Sequence, residues 1–548
     1  MKICRAKEFW LGALLMAGAV LAPEVFAQAG TFVLSESRAP ATLNPQQIDL
    51  GQGFSTPEMR AFEAQFEGLV EWDPNTGRSL PGLADSWTSA DQGKVWTFRL
   101  RRAVWSDGSR LTAESVVRSW LHELDPKQKA PSASLLTRFL VGAAAYHEGK
   151  GSAKAVGVKA LDPQTVQLTL REPLVPLGLL ALPPFAVVNV DHPELVNGPF
   201  IAKSPPVENK AAESKTKESK TKEKDAKPQE LIFEANPRYW DARAVKLKTL
   251  KFLTLDSSVA WKDYQAGKVD WATRIPYRHL GDAELRDDFQ NAPGLQTYFY
   301  IPVEKPGDKT YPLNDERVRQ ALSLAIDRTL LVRQVLKLGV FPLYSVSPPF
   351  WDYQPPECAH DNILKAQELL ASAGYDKGAK FPALVLGLNK GPLHEAVASY
   401  VVAQWQANLG IKVTLKTVSW KDFQEGLAKG TFDLARGDWR GDWPDPLAFL
   451  ETWSQPDNAA QFHSKTFDQL IAEARASPDG APRLKKLAAA EELLLKRQVV
   501  IPLFCYGSPQ LIDQTRWNGW FNNTADLHPW KFIQSAPQTQ APLAGSGP

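Results

Sequence analysis

Residues 430–450 concentrate charged and aromatic side chains in a pattern that is typical of a ligand site. The segment contains four aspartates, two arginines and two tryptophans, and a short β run is predicted over 431–435. Pro444 and Pro446 prevent a helix from taking up these charges. We therefore expect the charged groups to lie at a strand end or in a turn. An alternative is an ordinary solvated turn with Trp439 and Trp443 buried as core.

Elements that could position this segment are predicted along the whole chain. Short alternating runs predict strands with one solvated face at 31–34, 95–100, 166–170, 231–234 and 250–255. Capping signals and apolar periodicity predict helices at 57–69, 112–122, 315–338, 363–372, 393–408, 420–428 and 483–495. Because helices are interleaved with strands throughout, we predict an α/β architecture.

The N-terminus has the pattern of a cleavable secretory signal peptide over residues 1–27. Three basic residues precede an apolar run over 9–22, which is too short to span a bilayer. We expect the mature chain to begin near Gln28 and to be soluble. No cysteine follows the apolar run, so we expect no lipid anchor and place the protein in a bacterial periplasm.

The composition limits the kinds of molecule that we expect the protein to bind. The 548-residue chain carries a net charge of +2, which implies no polyanionic partner, so we expect no binding to nucleic acid. Its 18 tryptophans exceed what a chain of this size needs, and we expect some of them to line a binding surface. The sequence leaves open whether Cys358 and Cys505 form a disulfide in an oxidising compartment.

Common signatures of catalysis are missing from the sequence. There is no HExxH, GxSxG, P-loop or paired CxxC motif. Cys358 and His360 form a metal-like pair, but no second pair completes a site. We therefore predict that the protein is not an enzyme and needs no metal or cofactor.

Residues 203–228 form a Lys/Glu-rich insertion that we expect to be disordered, because it repeats ESKTK and lacks large apolar residues. Strand-like segments flank it, so we interpret it as the tip of an extended hairpin. Its lysines could contact anionic lipid or simply keep the loop solvated. The tail over 535–548, rich in Pro, Gly and Ala, is expected to be flexible.

Several segments, taken in their order and spacing, resemble the extracellular solute-binding proteins of peptide ABC transporters, family 5, and in particular its oligopeptide-binding members. The matching segments are 66–69, 83–87, 95–101, 105–108, 111–114, 236–240, 314–319 and 430–436. The resemblance covers nearly the whole mature chain. It implies an α/β fold that is periplasmic-binding-protein type II-like. Such a fold has two lobes, an additional domain on one lobe, and the ligand in the cleft.

The resemblance also implies three domains, one of them discontinuous. Domain I is predicted to comprise 28–52, 175–290 and 508–534, domain II to comprise 53–174, and domain III to comprise 291–507.

In this family a peptide lies extended between the lobes and pairs its backbone with protein strands. The resemblance therefore implies that this protein captures short peptides, closes around them by a hinge motion, and delivers them to an inner-membrane ABC permease. We expect it to act as a monomer. The alternative is an oligosaccharide receptor of the same family, because the chain is rich in tryptophan and some relatives stack sugars on this residue.

Alignment with the family implies a role for each candidate site residue. Asp442 matches the aspartate that holds the ligand's α-ammonium, and we expect it to be secluded from solvent. Arg436 and His394 match positions that receive the ligand's C-terminal carboxylate. The expected pocket walls are Trp439, Trp420, Arg440, Asp438 and Trp443. For Trp420 a role in core packing is the alternative.

The chain also departs from the family pattern. Gln296 and Arg440 stand where some relatives have cysteines, and Asp438 and Arg440 add charge to the pocket segment. The preferred length and sequence of the ligand therefore cannot be transferred from relatives.

Overall fold

The computed structural model describes residues 30–173, 177–203, 229–305, 307–337, 339–478 and 480–537. The predicted signal peptide, residues 204–228 of the predicted insertion and residues 538–548 of the predicted tail lie outside this set. In the part of the chain that is described, no helix combines the length and the apolar character needed to cross a bilayer.

The α-helices within these ranges alternate with strands. They are α1 Pro57–Gln65, α2 Ala113–Leu124, α3 Ala133–Phe139, α4 Ala143–His147, α5 Ser257–Gln265, α6 Leu280–Ala283, α7 Glu316–Leu324, α8 Arg328–Leu330, α9 Ile363–Ser372, α10 Pro392–Leu409, α11 Trp420–Ala428, α12 Leu447–Leu450, α13 Lys465–Ala476 and α14 Ala481–Lys496.

The strands in the first part of the chain are β1 Thr31–Glu36, β2 Val70–Trp72, β3 Ser79–Pro81, β4 Ala84–Ala90, β5 Val95–Leu100, β6 Ala103–Val104, β7 Arg110–Leu111, β8 Val158–Asp162, β9 Thr165–Thr169, β10 Phe200–Ala202, β11 Glu230–Ala235 and β12 Thr249–Thr254. They are followed by β13 Trp271–Ala272, β14 Phe289–Gln290, β15 Pro293–Pro302, β16 Phe341–Pro342, β17 Leu384–Asn389, β18 Val413–Val418, β19 Leu434–Arg440, β20 Ile501–Gly507, β21 Gln510–Ile512, β22 Trp517–Asn518 and β23 Gln534–Ser535.

Three larger sheets organise the molecule. A seven-stranded sheet has the order β10-β11-β12-β1-β13-β21-β14, and a four-stranded sheet has the order β4-β5-β9-β8. A six-stranded sheet has the order β16-β20-β15-β19-β17-β18. The strands of the seven-stranded sheet come from three separate stretches of chain, so their alignment depends on contacts between distant segments.

Two short crossovers join the seven-stranded sheet to the six-stranded sheet. Residues 291–292 connect β14 to β15, and residues 508–509 connect β20 to β21. The chain therefore passes between these sheets twice at almost the same place. This arrangement is typical of a hinge, because few backbone dihedrals need to change for the two sheets to move relative to each other.

Local sequence explains where most helices begin. The Oγ1 of Thr56 accepts a hydrogen bond from the Met59 amide at 3.3 Å, and Pro57 occupies the first turn of α1. Asn362 caps α9 and Ser419 caps α11 in the same way. The predicted helices over 363–372 and 420–428 are confirmed, as are the five predicted strands, with ends shifted by at most a few residues.

Two predicted helices are shorter than expected, since α1 ends at Gln65 rather than at residue 69 and the helix predicted over 315–338 is divided. The helix predicted over 315–338 begins with an Asp315 cap, but α7 ends at Leu324. The side chain of Asp327 then accepts a hydrogen bond from the Leu330 amide at 2.8 Å and starts α8. A second cap within an otherwise periodic stretch therefore divides the predicted helix, and a π-helical turn over Leu331–Leu336 follows.

The strands on either side of the Lys/Glu-rich insertion pair with each other. In the antiparallel ladder of β10 and β11, Phe200 lies opposite Ala235 and Ala202 lies opposite Phe233. The prediction that strands flank the insertion as a hairpin is confirmed.

Candidate functional site

The candidate site is built on the antiparallel pair of β15 and β19. Gln296 lies opposite Arg440, Tyr298 opposite Asp438, and Tyr300 opposite Arg436. Since side chains alternate along a strand, these six share one face of the sheet. Our expectation that the charged groups lie at a strand end or in a turn after a strand over 431–435 is wrong for Arg436, Asp438 and Arg440, because the strand begins at Leu434 and carries these three residues itself.

Arg436 and Asp438 neutralise each other within β19. The Nη2 of Arg436 lies 2.6 Å from the Oδ2 of Asp438, and Nη1 donates to the Oδ1 of Asn389 at 3.3 Å. Only 6% of the Arg436 side chain is exposed, compared with 30% for Asp438. The carboxylate is therefore the more accessible charge of the pair.

Tyr298 brings Arg436 and His394 together. The guanidinium of Arg436 lies over the Tyr298 ring, 5.3 Å from its centroid, and the His394 ring stacks on the same tyrosine at 5.7 Å. The Tyr298 hydroxyl and the Nδ1 of His394 are 3.2 Å apart. Burial lowers the pKa of His394, and the nearby Arg436 lowers it further. The two residues predicted to receive a carboxylate are thus neighbours in the structure.

Arg440 joins the strand face to a distant turn. Its Nη2 donates to the Oε1 of Gln296 at 2.6 Å, and its Nη1 donates to the Gly51 carbonyl at 2.7 Å. The amide of Gln296 in turn donates to Asp438 at 3.3 Å. At the two positions where some relatives have cysteines, this chain therefore has a hydrogen-bonded pair.

Asp442 lies just beyond the end of β19, and its side chain is 54% exposed. Its Oδ2 is 3.8 Å from the Nη1 of Arg138, which belongs to α3. Partial burial raises the pKa of Asp442, and the positive charge of Arg138 opposes this shift. Our expectation that this carboxylate is secluded from solvent is therefore wrong for this structure.

The three tryptophans predicted as pocket walls have different environments. Trp420 is 55% exposed at the start of α11 and stacks on Phe423 at 5.8 Å. Trp439 is partly buried and donates from Nε1 to the Ala448 carbonyl at 2.7 Å. Trp443 is fully buried and packs edge-on against Phe139. Trp443 is thus a core residue, as the alternative interpretation of the segment states.

The remaining candidate groups do not assemble into a metal or disulfide site. Across the described ranges, no three His, Cys, Asp or Glu side chains are placed to hold a metal ion. His360 instead contacts Glu357 at 2.6 Å and stacks on Tyr344. Cys358 and Cys505 are both free thiols.

Sequence analysis missed several residues that complete the site. Tyr298, Asn389 and Arg138 are contributed by β15, β17 and α3, far from β19 in sequence. The strand-like run that contains Tyr298 could have been found from its aromatic and β-branched content. The register of β15 against β19 and the position of α3 could not have been found in this way, because they depend on tertiary packing.

Comparison with known proteins supports the architecture. A sequence model of the bacterial extracellular solute-binding proteins, family 5, matches residues 79–461. The periplasmic oligopeptide-binding protein OppA of Salmonella typhimurium (strain LT2) is 32% identical over 94% of this chain and 95% of its own length. The probable deoxycholate-binding periplasmic protein YgiS of Escherichia coli K12 is 30% identical, over 90% of this chain and 92% of its own length.

A solved structure gives the same result for the fold. The unliganded open form of the periplasmic murein tripeptide-binding protein MppA superposes with a TM-score of 0.80 at 27% identity, over 93% of this chain and 98% of that one. The fold is therefore α/β, multi-domain and periplasmic-binding-protein type II-like, as the resemblance implied. With a family model that matches most of its length and a relative 32% identical over nearly all of it, the chain belongs to the bacterial extracellular solute-binding proteins of family 5.

Proposed function

We propose that this protein is the substrate-binding component of an ABC peptide importer. It binds short peptides in an extended conformation between its lobes and delivers them to an inner-membrane permease. It is secreted by a cleavable signal peptide, acts in the periplasm as a monomer and catalyses no reaction.

The observation that carries this proposal is an unpaired backbone edge on β19. This strand pairs with β15 from Leu434 to Arg440, but with β17 only at Leu434 and Ala435. Among the described residues, no strand therefore pairs with the backbone of residues 436–440 on the edge of β19 that faces β17. An exposed edge of this kind accepts an extended peptide through main-chain hydrogen bonds, which are the same for every peptide sequence.

The charges beside this edge fit the two ends of a peptide. Asp442 lies beyond one end of the free segment, and we assign it to the ligand's α-ammonium. Arg436 and His394 lie at the other end, and we assign them to the C-terminal carboxylate. Asp438, Arg440, Trp439 and Trp420 flank the segment and would contact ligand side chains. Trp443 is left out of this assignment because it is buried.

The similarity to an unliganded open form supports an open arrangement of the lobes here. The half-exposed Asp442 is consistent with it, because a cleft without ligand leaves its charges in water. Closure around a peptide would then seclude this carboxylate. The oligosaccharide alternative is not favoured, since neutral sugars offer no partner for Asp442, Arg436 or His394.

The proposal is tested with the mature protein, starting at Gln28. We expect mass spectrometry of the purified protein to detect bound short peptides. After these are removed by partial unfolding and refolding, a mixture of tri- to pentapeptides should raise the melting temperature by several degrees. Stabilisation by oligosaccharides, and not by peptides, would overturn the proposal in favour of the alternative.

A further inference from the structure

Asp442 is the end of a row of alternating charges that connects two separate parts of the chain. Arg138 lies between Asp442, 3.8 Å away, and Glu451, with which it forms a close ion pair. Arg475 contacts the other oxygen of Glu451 at 2.7 Å and Glu172 at 2.8 Å. We call the row Asp442, Arg138, Glu451, Arg475 and Glu172 the charge ladder.

The charge ladder joins chain segments that are far apart in sequence. Arg138 belongs to α3 and Glu172 follows β9, whereas Asp442, Glu451 and Arg475 come from the segment after β19. Glu451 is buried and paired on both oxygens, so it fixes the positions of the two arginines. The guanidinium of Arg138 also lies over the Trp443 ring at 5.0 Å. Arg138 is therefore held firmly beside Asp442.

The charge ladder carries an excess negative charge, and Asp442 is its exposed end. It contains three carboxylates and two guanidiniums, so its net charge is negative by one unit. Asp442 is more than half exposed, and its contact with Arg138 is longer than a hydrogen bond. Within the described ranges, the neighbouring arginines contact other groups. Arg483 donates to both oxygens of Asp445 at 2.7 and 2.8 Å, and Arg440 donates to Gln296 and Gly51.

We propose that Arg138 is a positioning residue for ligand recognition, which holds Asp442 in place and in its charged state so that the ligand's ammonium completes the charge ladder. This inference rests on the proposed function, because it requires a ligand with a free amine. Arg138 does not touch the ligand's amine itself, since two cations repel each other. It acts through Asp442, and Glu451 holds it there.

The proposal predicts a specific dependence on pH. An ammonium ion binds the ionised form of Asp442, and loss of Arg138 leaves burial as the main influence on this carboxyl group. Asp442 should then protonate at higher pH. Peptide affinity in an Arg138→Gln variant should therefore begin to fall at a higher pH than in the wild type. We expect a loss of about fivefold at pH 5 and less than about twofold at pH 8.

The experiment is calorimetric titration of the mature protein with one tripeptide, and with its N-acetylated form, between pH 4.5 and 8. Arg138→Lys keeps a cation and should restore most of the wild-type pH profile. Arg118→Gln removes an exposed arginine that pairs with Asp191, and it should behave as wild type. Circular dichroism at each pH would verify that every variant is folded.

The outcomes separate this inference from the proposed function. If the wild type binds the peptide but Arg138→Gln keeps the same pH profile, the inference is overturned. An equal loss of affinity at every pH would also overturn it, since a purely structural role acts in that way. If the wild type binds no peptide at any pH, the proposed function is wrong, and the inference that rests on it is overturned as well.

Discussion

At the scale of single residues, the most informative feature is that Arg436 already has a carboxylate partner. Asp438 lies 2.6 Å from its guanidinium, and a second nitrogen of the same guanidinium donates a hydrogen bond to Asn389. Under the proposed assignment, a peptide's C-terminal carboxylate would compete with Asp438 for this arginine. Such competition would weaken selection for the C-terminus and favour tolerance of different ligand lengths.

This competition can be tested by replacing Asp438 with Asn, which keeps the shape of the side chain and removes its charge. We expect affinity for peptides with a free C-terminus to rise by about three- to tenfold, because the guanidinium loses its internal partner. Peptides with an amidated C-terminus should gain little. The measurement is calorimetry with both peptide forms, and Asp376→Asn in an exposed loop is the control. Equal changes for both forms would contradict the assignment of Arg436.

A second prediction concerns Glu123, which is fully buried in α2 and has no hydrogen-bond partner among the described residues on either carboxylate oxygen. Burial raises the pKa of this carboxyl from its ordinary value of 4.5 to about 9. As the pH rises from 4.5 towards 9, the unfolded chain loses this proton and the folded chain keeps it. The contribution of this pKa shift to the free energy of unfolding is therefore fully present below pH 4.5 and is lost progressively as the pH rises above it.

We expect Glu123→Gln to remove this dependence. The free energy of unfolding of the variant minus that of the wild type should increase by about 3 to 4 kcal/mol from pH 5 to pH 8. Urea denaturation at both pH values measures the difference. The exposed Glu114→Gln on the same helix is the matched control. A gain that is the same at both pH values would show that Glu123 is ionised in the folded protein.

The sequence indicated one segment as the candidate site but not the environment of each residue in it. Residue types alone placed Arg436, Asp438, Arg440 and Asp442 in one candidate site, and the structure shows that the first three share a strand face. The sequence could not decide whether Trp443 is a pocket wall or a core residue, because its burial depends on contacts such as that with Phe139 from a distant helix.

At the scale of elements, the pairing of β15 with β19 determines the geometry of the site. Gly437 lies directly opposite Phe299 in this ladder. A Cβ atom at residue 437 would come within 2.4 Å of the Phe299 ring, which is itself buried. The glycine therefore allows the two strands to approach each other, and it places Arg436 and Asp438 on the opposite face.

Gly437→Ala should consequently destabilise the protein by about 1 to 3 kcal/mol and shift the charged residues of β19. Chemical denaturation measures the first effect, and peptide affinity measures the second. Gly281→Ala in α6 is the control, because its new Cβ would have no atom of another described element within 4 Å. Unchanged stability of Gly437→Ala would mean that the strands can separate without cost.

Prediction of elements was reliable where local signals decide and failed where they do not. Capping signals located the starts of α1, α2 and α7. The strand β19 was placed too early, because a glycine and three charged residues do not have the composition of a strand. Its pairing with the aromatic strand β15 overrides this weak propensity.

At the scale of the whole molecule, the two crossovers at 291–292 and 508–509 are the hinge that the proposed closure would use, because they join the seven-stranded sheet to the six-stranded sheet. The hydrogen bond from Arg440 to the Gly51 carbonyl connects two segments that are far apart in the chain. The family resemblance implied two lobes and three domains from ordered motifs alone, and the domain boundaries remain a prediction. The relative positions of the lobes were not predictable from sequence, because they depend on the ligand.

Closure should be visible in solution. We expect the radius of gyration from small-angle X-ray scattering to decrease when a saturating peptide is added to ligand-free protein, since the lobes approach each other. The N-acetylated peptide at the same concentration should cause no decrease. An unchanged radius with bound peptide would contradict a hinge mechanism.

The central claim is that Asp442 binds the ligand's amine, and calorimetry on the wild type and Asp442→Asn tests it most directly. In the wild type, we expect N-acetylation of a tripeptide to weaken binding about 30-fold or more, because a charge enclosed by closure loses its partner. In Asp442→Asn both peptide forms should bind equally weakly, whereas Asp457→Asn in an exposed loop should match the wild type. Undiminished affinity of Asp442→Asn for the free-amine peptide would contradict the account.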